Sequence, residues 1–207
     1  MDSSSNTKNE IAEFSVGKFE LESIDIDNFI GYIIKPENLI ALLSFVKNSP
    51  ILRFTILTDL FAADFPSREK RFEVVYSLLS LKLNQRLLIK VFTNSEDLMP
   101  SVTSIFDSSC WYEREAFDMF GIKFNNCPDM RRILTDYGFA GHPLRKDFPL
   151  TGHFEVEYNQ LLGQVVYKAV ELEQEFRMFD FMSPWRGPKD TRHIEPNILP
   201  GDEKATK

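Results

Sequence analysis

The chain has 207 residues, with 24 Lys and Arg against 31 Asp and Glu, giving a formal net charge of −7. That length suits one domain with a docking tail, and the acidic balance argues against a nucleic-acid module, whose phosphate contacts need surplus cations. Two cysteines cannot supply the about four thiolates of an iron–sulfur cluster, and no stretch reaches the roughly 18–20 apolar residues of a membrane span.

Residues 1–15 are polar, with neither the apolar core of a secretory signal nor the Arg-rich pattern of a transit peptide, and read as a flexible N-terminus. Residues 29–34 form a buried-strand pattern ended by Lys35-Pro36. Pro36 suits a first helical turn, and Leu39, Ile40, Leu42, Leu43 and Val46 recur at helical spacing until Pro50. Residues 52–57 read as a second strand, followed by a loop through Asp59, Asp64 and Pro66. The β-rich runs 71–81 and 86–93 flank Lys82-Leu83-Asn84-Gln85, which predicts a hairpin. A short helix is expected over 101–106 and a longer one over 111–120, stopped by Gly121.

Beyond Gly121 the texture changes. Residues 125–160 hold Pro128, Gly138, Gly141, Pro143, Pro149 and Gly152 with no sustained period. Loops beyond about 12–15 residues are usually functional or disordered, and Met130, Ile133, Leu134, Tyr137 and Phe139 are too apolar for a solvated linker. An arm lying on another surface is the expectation. Residues 164–170 are a last strand, and the remainder to Lys207 mixes Phe176, Phe179, Phe181 and Trp185 with prolines, a further arm. The fold class is therefore α+β: a two-layer arrangement of a small mixed sheet with packed helices, followed by long extended C-terminal arms. Residues 1–15 are the flexible N-terminus, 16–124 the core domain and 125–207 the subunit-docking arm.

Chemistry-bearing residues concentrate in three clusters. The helix carries Glu113, Arg114, Glu115 and Asp118; Arg114 and Asp118 have i,i+4 spacing, and Glu113 falls on the flank of the apolar face, where an unpaired carboxylate is costly. An ion-paired helix face or interface outweighs a general acid/base cluster here. Arg131 and Arg132 precede an apolar pair and suit an interface anchor, since Arg is enriched at hot spots. Their charge reversal is expected to harm assembly. The third cluster holds His142, Arg145, Lys146 and Asp147. Cys127 with His142 as a nucleophilic pair, or Cys110, Cys127 and His142 as a zinc site, lacks supporting spacing. No glycine-rich phosphate cradle is present, and the two cysteines form no disulfide framework, so a reducing compartment is expected.

The run Glu113-Arg114-Glu115-Ala116-Phe117-Asp118-Met119-Phe120-Gly121-Ile122, with Arg131-Arg132-Ile133-Leu134-Thr135-Asp136-Tyr137-Gly138-Phe139 and Gly141-His142-Pro143-Leu144-Arg145-Lys146-Asp147-Phe148-Pro149 behind it, resembles the 30-kDa subunit family of respiratory complex I, the proton-pumping NADH:ubiquinone oxidoreductase. The likeness spans about residues 30–205, including Phe176-Arg177-Met178-Phe179 and Leu199-Pro200-Gly201-Asp202-Glu203-Lys204, and the closing segments look like the mitochondrial and alphaproteobacterial branch. Cys127 stands where the family usually has His, and Met130 where it has Leu, which argues against an essential side chain at 127.

The resemblance implies a non-catalytic scaffold subunit in the quinone module of the peripheral arm. It also implies no cofactor in this chain, with FMN and iron–sulfur clusters in partner subunits. The implied partners are the 49-kDa subunit and its small iron–sulfur neighbours, with the membrane met only through the complex. The implied place is the matrix side of the mitochondrial inner membrane, or the cytoplasmic face of a bacterial one. The resemblance makes Glu113, Arg114, Glu115, Asp118, Arg131, Arg132, His142, Arg145, Lys146 and Asp147 the expected signature and interface residues. The alternatives are the equivalent subunit of a ferredoxin-dependent quinone reductase or membrane-bound hydrogenase and, remotely, a stand-alone hydrolase using Glu113, Glu115 or Asp118.

Overall fold

The computed structural model describes residues 3–26 and 29–174. Its first element is helix α1 (Ser3–Ser15), a correction to the flexible segment that the polar sequence predicts. The helix is held by a few anchors: Ile11 is fully buried, Phe14 stacks on Phe45 with ring centroids 3.9 Å apart, and the Thr7 hydroxyl donates to Gln85. Helices in proteins draw most of their stability from such packing rather than from propensity.

Strands β1 (Glu22–Ile26) and β2 (Phe29–Ile33) pair antiparallel. Pro36 opens a 3-10 turn that runs into α2 (Leu39–Asn48), whose buried Leu39, Leu42, Leu43 and Val46 form the stripe its spacing predicts. The next strand is displaced from its expected place. Residues 52–55 are a connection in which Leu52 and Phe54 plug the core, and β3 is Ile56–Asp64, running through the predicted loop. A register shift between Leu57 and Asp59 breaks the alternation that would reveal it. Strands β4 (Phe72–Ser80) and β5 (Gln85–Thr93) make the expected hairpin, with Asn84 at φ +50 in its turn. After β6 (Leu98–Pro100), residues 101–106 form only a turn in place of the predicted helix, the Ile105 and Phe106 N–H groups both donating to Val102 O. Helix α3 (Ser109–Phe120) ends at Gly121 as predicted, and β7 (Lys123–Asn125) pairs with β6. A final hairpin joins β8 (Phe154–Asn159) to β9 (Gln164–Ala169).

The main sheet has the order β1-β2-β5-β4-β3, with β2 and β5 parallel and the other neighbours antiparallel. Val74, Tyr76 and Leu78 of β4 register with Val91, Ile89 and Leu87 of β5, and Phe72 with Thr93, on one fully buried face whose apolar residues pack together. With Ile11 of α1, the stripe of α2, and Ala116, Met119 and Phe120 of α3, they form one apolar cluster. This is the expected α+β fold with a small mixed sheet and packed helices. Residues 1–170 form one compact unit, so the boundary predicted at 124 falls inside it. The arm bearing Phe176, Phe179, Phe181 and Trp185 lies outside the described residues.

Candidate functional site

Helix α3 supplies the densest group of charged residues, and most of them face inward. Glu113 is fully buried, and its Oε1 accepts the Val102 N–H at 2.8 Å, satisfying the turn that follows β6. Its Oε2 and the nearby Ser109 hydroxyl are buried without a hydrogen-bond partner. Burial pushes the Glu113 carboxyl above its ordinary range, and the neighbouring Ser101, Val102 N–H, Cys127 and Ser109 counter this only in part. Burial likewise pushes the Cys127 thiol up to about 12, so it stays protonated; it donates to Asp129 O at 3.2 Å.

The i,i+4 pair expected between Arg114 and Asp118 gives way to longer-range partners. Arg114 donates through Nε to Arg131 O at 2.9 Å and through Nη2 to Arg132 O at 3.4 Å, with Asp129 at 3.6 Å. Asp118, fully buried, gathers five donors. Oδ2 accepts the N–H groups of Ile133 at 3.0 Å, Leu134 at 2.7 Å and Thr135 at 2.9 Å. Oδ1 accepts the Thr135 hydroxyl at 2.6 Å and the Arg132 guanidinium at 3.1 Å. Burial pushes this carboxyl up, but the donors of Thr135, Leu134 and Ile133 outweigh it and hold the group at about 2. Arg132 also reaches Gly141 O at 3.0 Å, tying two parts of the loop together.

A helix leaves its last carbonyls without internal partners, and the same loop caps them. His142 Nδ1–H donates to Asp118 O at 2.9 Å, Leu144 N–H to Met119 O at 3.1 Å and Arg145 Nε to Phe120 O at 2.5 Å. Burial lowers the affinity of His142 for a second proton, leaving it the neutral donor. Gly121, at φ +78, makes the approach possible: a Cβ there would sit 2.7 Å from His142 Nε2 and against the Arg145 guanidinium. On the sheet side, Asp64 of β3 takes two bonds from Arg71 at 2.6 and 2.7 Å and the Lys146 N–H at 2.7 Å. Arg71 reaches on to Asp147 at 3.0 Å. The hydrogen bonds from Arg71 hold both Asp64 and Asp147 below the usual carboxylate range.

The structure thus brings together Arg114, Asp118, Arg132, His142, Arg145, Lys146 and Asp147, with Glu113 anchoring the other end of α3. It does not bring in Glu115, which is exposed, or Arg131, whose side chain is 82% exposed and pairs with Asp129 beside it. Asp64, Arg71 and Thr135 belong to the cluster, and sequence reasoning does not single them out. The pattern Asp64-Phe65-Pro66 with Arg71 close behind offers a signal for the first pair. Among the described residues no three His, Cys, Asp or Glu side chains converge as metal ligands. His142 and Cys127 are engaged separately, with α3 and with Asp129 respectively. Chemically, the arrangement is a clamp: its charges bind the chain's own backbone.

A family model described as the respiratory-chain NADH dehydrogenase, 30 Kd subunit, matches residues 32–154. The chain is 53% identical over 183 residues to the C subunit of NADH-quinone oxidoreductase from Rickettsia felis, covering 88% of this chain and 85% of that protein. It is 55% identical over 168 residues to the protein of the same name in Brucella ovis, covering 81% of this chain and 80% of that one. Among solved structures, a chain of the membrane-bound sulfane sulfur reductase, an archaeal respiratory membrane complex, superposes with TM-score 0.60. That match covers 70% of this chain and 85% of the other at 24% identity, a likeness of fold.

Proposed function

We propose a bracing role for this chain, which belongs to the respiratory-chain NADH dehydrogenase 30 Kd subunit family. It is a subunit of a complex I-type, proton-translocating NADH:quinone oxidoreductase, the assembly its relatives at about half identity are named for. Those names speak for NADH as the electron source and give no support to the ferredoxin-fed or hydrogenase alternatives. Within the enzyme the chain carries no redox centre. It fastens the 49-kDa subunit and the small iron–sulfur subunits of the quinone module, where FMN and the clusters lie in partners. No helix among the described residues is long and apolar enough to cross a membrane, in keeping with a peripheral place on the matrix side of the inner mitochondrial membrane or the cytoplasmic side of a bacterial one.

The observation that carries the bracing role is the full engagement of Asp118. A catalytic carboxylate needs an open face toward a reacting atom, whereas both oxygens of Asp118 are saturated by the loop 132–135. Such a clamp rigidifies an irregular surface, which lowers the ordering cost of docking onto it. Tagging the full chain in respiratory membranes tests the reading. The tag should migrate on native gels with NADH:quinone activity, and deletion should abolish both the complex and the activity. Migration as a free chain, with activity untouched by deletion, would overturn it.

A further inference from the structure

Strands β8 and β9 form a two-stranded sheet of their own. Their register places Phe154 opposite Ala169, Val156 opposite Tyr167 and Tyr158 opposite Val165. Side chains alternate faces along a strand, so these six share one side, and the other holds Glu155, Glu157, Asn159, Gln164, Val166 and Lys168. Lys168 joins Glu155 at 3.1 Å and Glu157 at 2.8 Å, so the polar side is closed by its own ion pairs. The apolar side is uncovered: Phe154, Val156, Tyr158, Val165 and Tyr167 are each between 57% and 70% exposed. An isolated two-stranded hairpin is at best marginal in water, and here the apolar side has no partner among the described residues.

We propose that this face, formed by Phe154, Val156, Tyr158, Val165, Tyr167 and Ala169, docks onto another subunit of the same complex, one offering a flat apolar protein surface with a basic rim. The proposal rests on the bracing role above and assigns it a surface. Aromatic side chains bury about 150–250 Å² each, so the face exposes on the order of 500 Å². That is at the upper end of what soluble monomers leave uncovered and most of the roughly 800 Å² that a standard interface takes from one partner. Charge selects the occupant. The Glu155, Glu157 and Lys168 charges lie on the other side of the hairpin, so the relevant charge is that of the whole chain, −7. That disfavours anionic lipid headgroups, which recruit cationic segments, and a second copy of equal charge. A partner surface with an apolar centre and basic side chains around it complements the exposed face and the net charge of the chain.

The test replaces the wild-type chain with full-length Tyr167→Lys or, as a control on the opposite side, Gln164→Lys. Tyr167→Lys should lower the fraction of chain co-purifying with NADH:quinone activity about tenfold while the unfolding midpoint of the isolated chain stays put. Gln164→Lys should assemble as wild type. Wild-type assembly by Tyr167→Lys would overturn the docking face and leave the bracing role standing. Failure of the wild-type chain itself to enter the complex would overturn the bracing role instead. To separate docking from folding, p-benzoylphenylalanine at 167 in the assembled complex should cross-link on illumination to one neighbouring subunit. No adduct, an adduct with a second copy, or an adduct with lipid would each overturn the proposal.

Discussion

Thr135 bridges the two oxygens of Asp118: its hydroxyl donates to Oδ1 at 2.6 Å and its backbone N–H to Oδ2 at 2.9 Å. One loop residue thereby fixes the rotation of a buried helix carboxylate, and the carboxylate fixes the loop. Asp118→Asn replaces one acceptor oxygen with an NH2 group that faces donors. A buried donor left unmet costs about 1–3 kcal/mol; NH2 at the Oδ2 position strands three backbone N–H groups, and at Oδ1 it faces the Arg132 guanidinium, so the full chain should lose about 1–3 kcal/mol in urea unfolding. Unfolding at the wild-type midpoint would show that the loop is held by other contacts.

The same carboxylate sets an acid limb. Its folded value of about 2 lies below the ordinary 3.8, so the folded chain binds fewer protons than the unfolded chain between those values. The stabilisation is complete above about pH 4 and is lost as pH falls toward about 2. At about 1.4 kcal/mol per unit, roughly 2 kcal/mol is involved. Circular-dichroism melts across that interval should show the loss in wild type and a flatter profile in Asp118→Asn.

Glu113 has the opposite sign. Burial raises its folded value above the ordinary one, so over the interval between them the folded chain keeps a proton that the unfolded chain has released. Stability is complete below the ordinary Glu value and declines as pH climbs through the raised one. Glu113→Gln keeps an acceptor for the Val102 N–H and removes the titration. At neutral pH its urea midpoint should equal or exceed that of wild type, and it should gain less than wild type on mild acidification. A large loss in the amide variant would mean that the charged form is what the site requires.

The two arginines should part company. Arg132 is mostly buried and bonded to Asp118, Thr135 and Gly141, so Arg132→Ala takes a donor from all three. The cost should be about 1–3 kcal/mol in unfolding free energy. Arg131 points outward, and Arg131→Glu should leave the unfolding midpoint in place while lowering the yield of assembled complex on native gels. Equal effects of the two on the isolated chain's stability would contradict the structure.

Gly121→Ala places a side chain in the left-handed region and against His142 and Arg145. The backbone alone costs about 1–2 kcal/mol, and displacement of the Arg145 bond to Phe120 O adds to it. A fall of on the order of 2–3 kcal/mol is expected, read as a lowered thermal midpoint. An unchanged midpoint would show that the loop can swing aside freely.

Periodicity makes α2, the β4–β5 hairpin and the body of α3 legible, because each buries a continuous stripe. Helix α1 is not legible, because Ile11 and Phe14 are too few to make a stripe in a polar segment. Strand β3 is hidden by its register shift and by Asp59 and Asp64, which resemble loop residues until Arg71 is placed beside Asp64. At the site, sequence locates the charged residues and the cost of burying Glu113, but local spacing pairs Arg114 with Asp118. Five donors to Asp118 from residues 132–135 outweigh one local i,i+4 pair, which on a solvated helix is worth only a few tenths of a kcal/mol. Pairings of that sequence separation leave no periodic trace.

The bond from the Lys146 N–H to Asp64 spans 82 positions of chain. Closing so long a loop costs chain entropy that one bond does not offset alone, so the contact depends on the sheet that holds Asp64 in place. Displacing β3 would therefore remove one fastening of the segment that carries Lys146. The edge strand of the main sheet and the loop behind α3 thus share one carboxylate, Asp64, as a fastening.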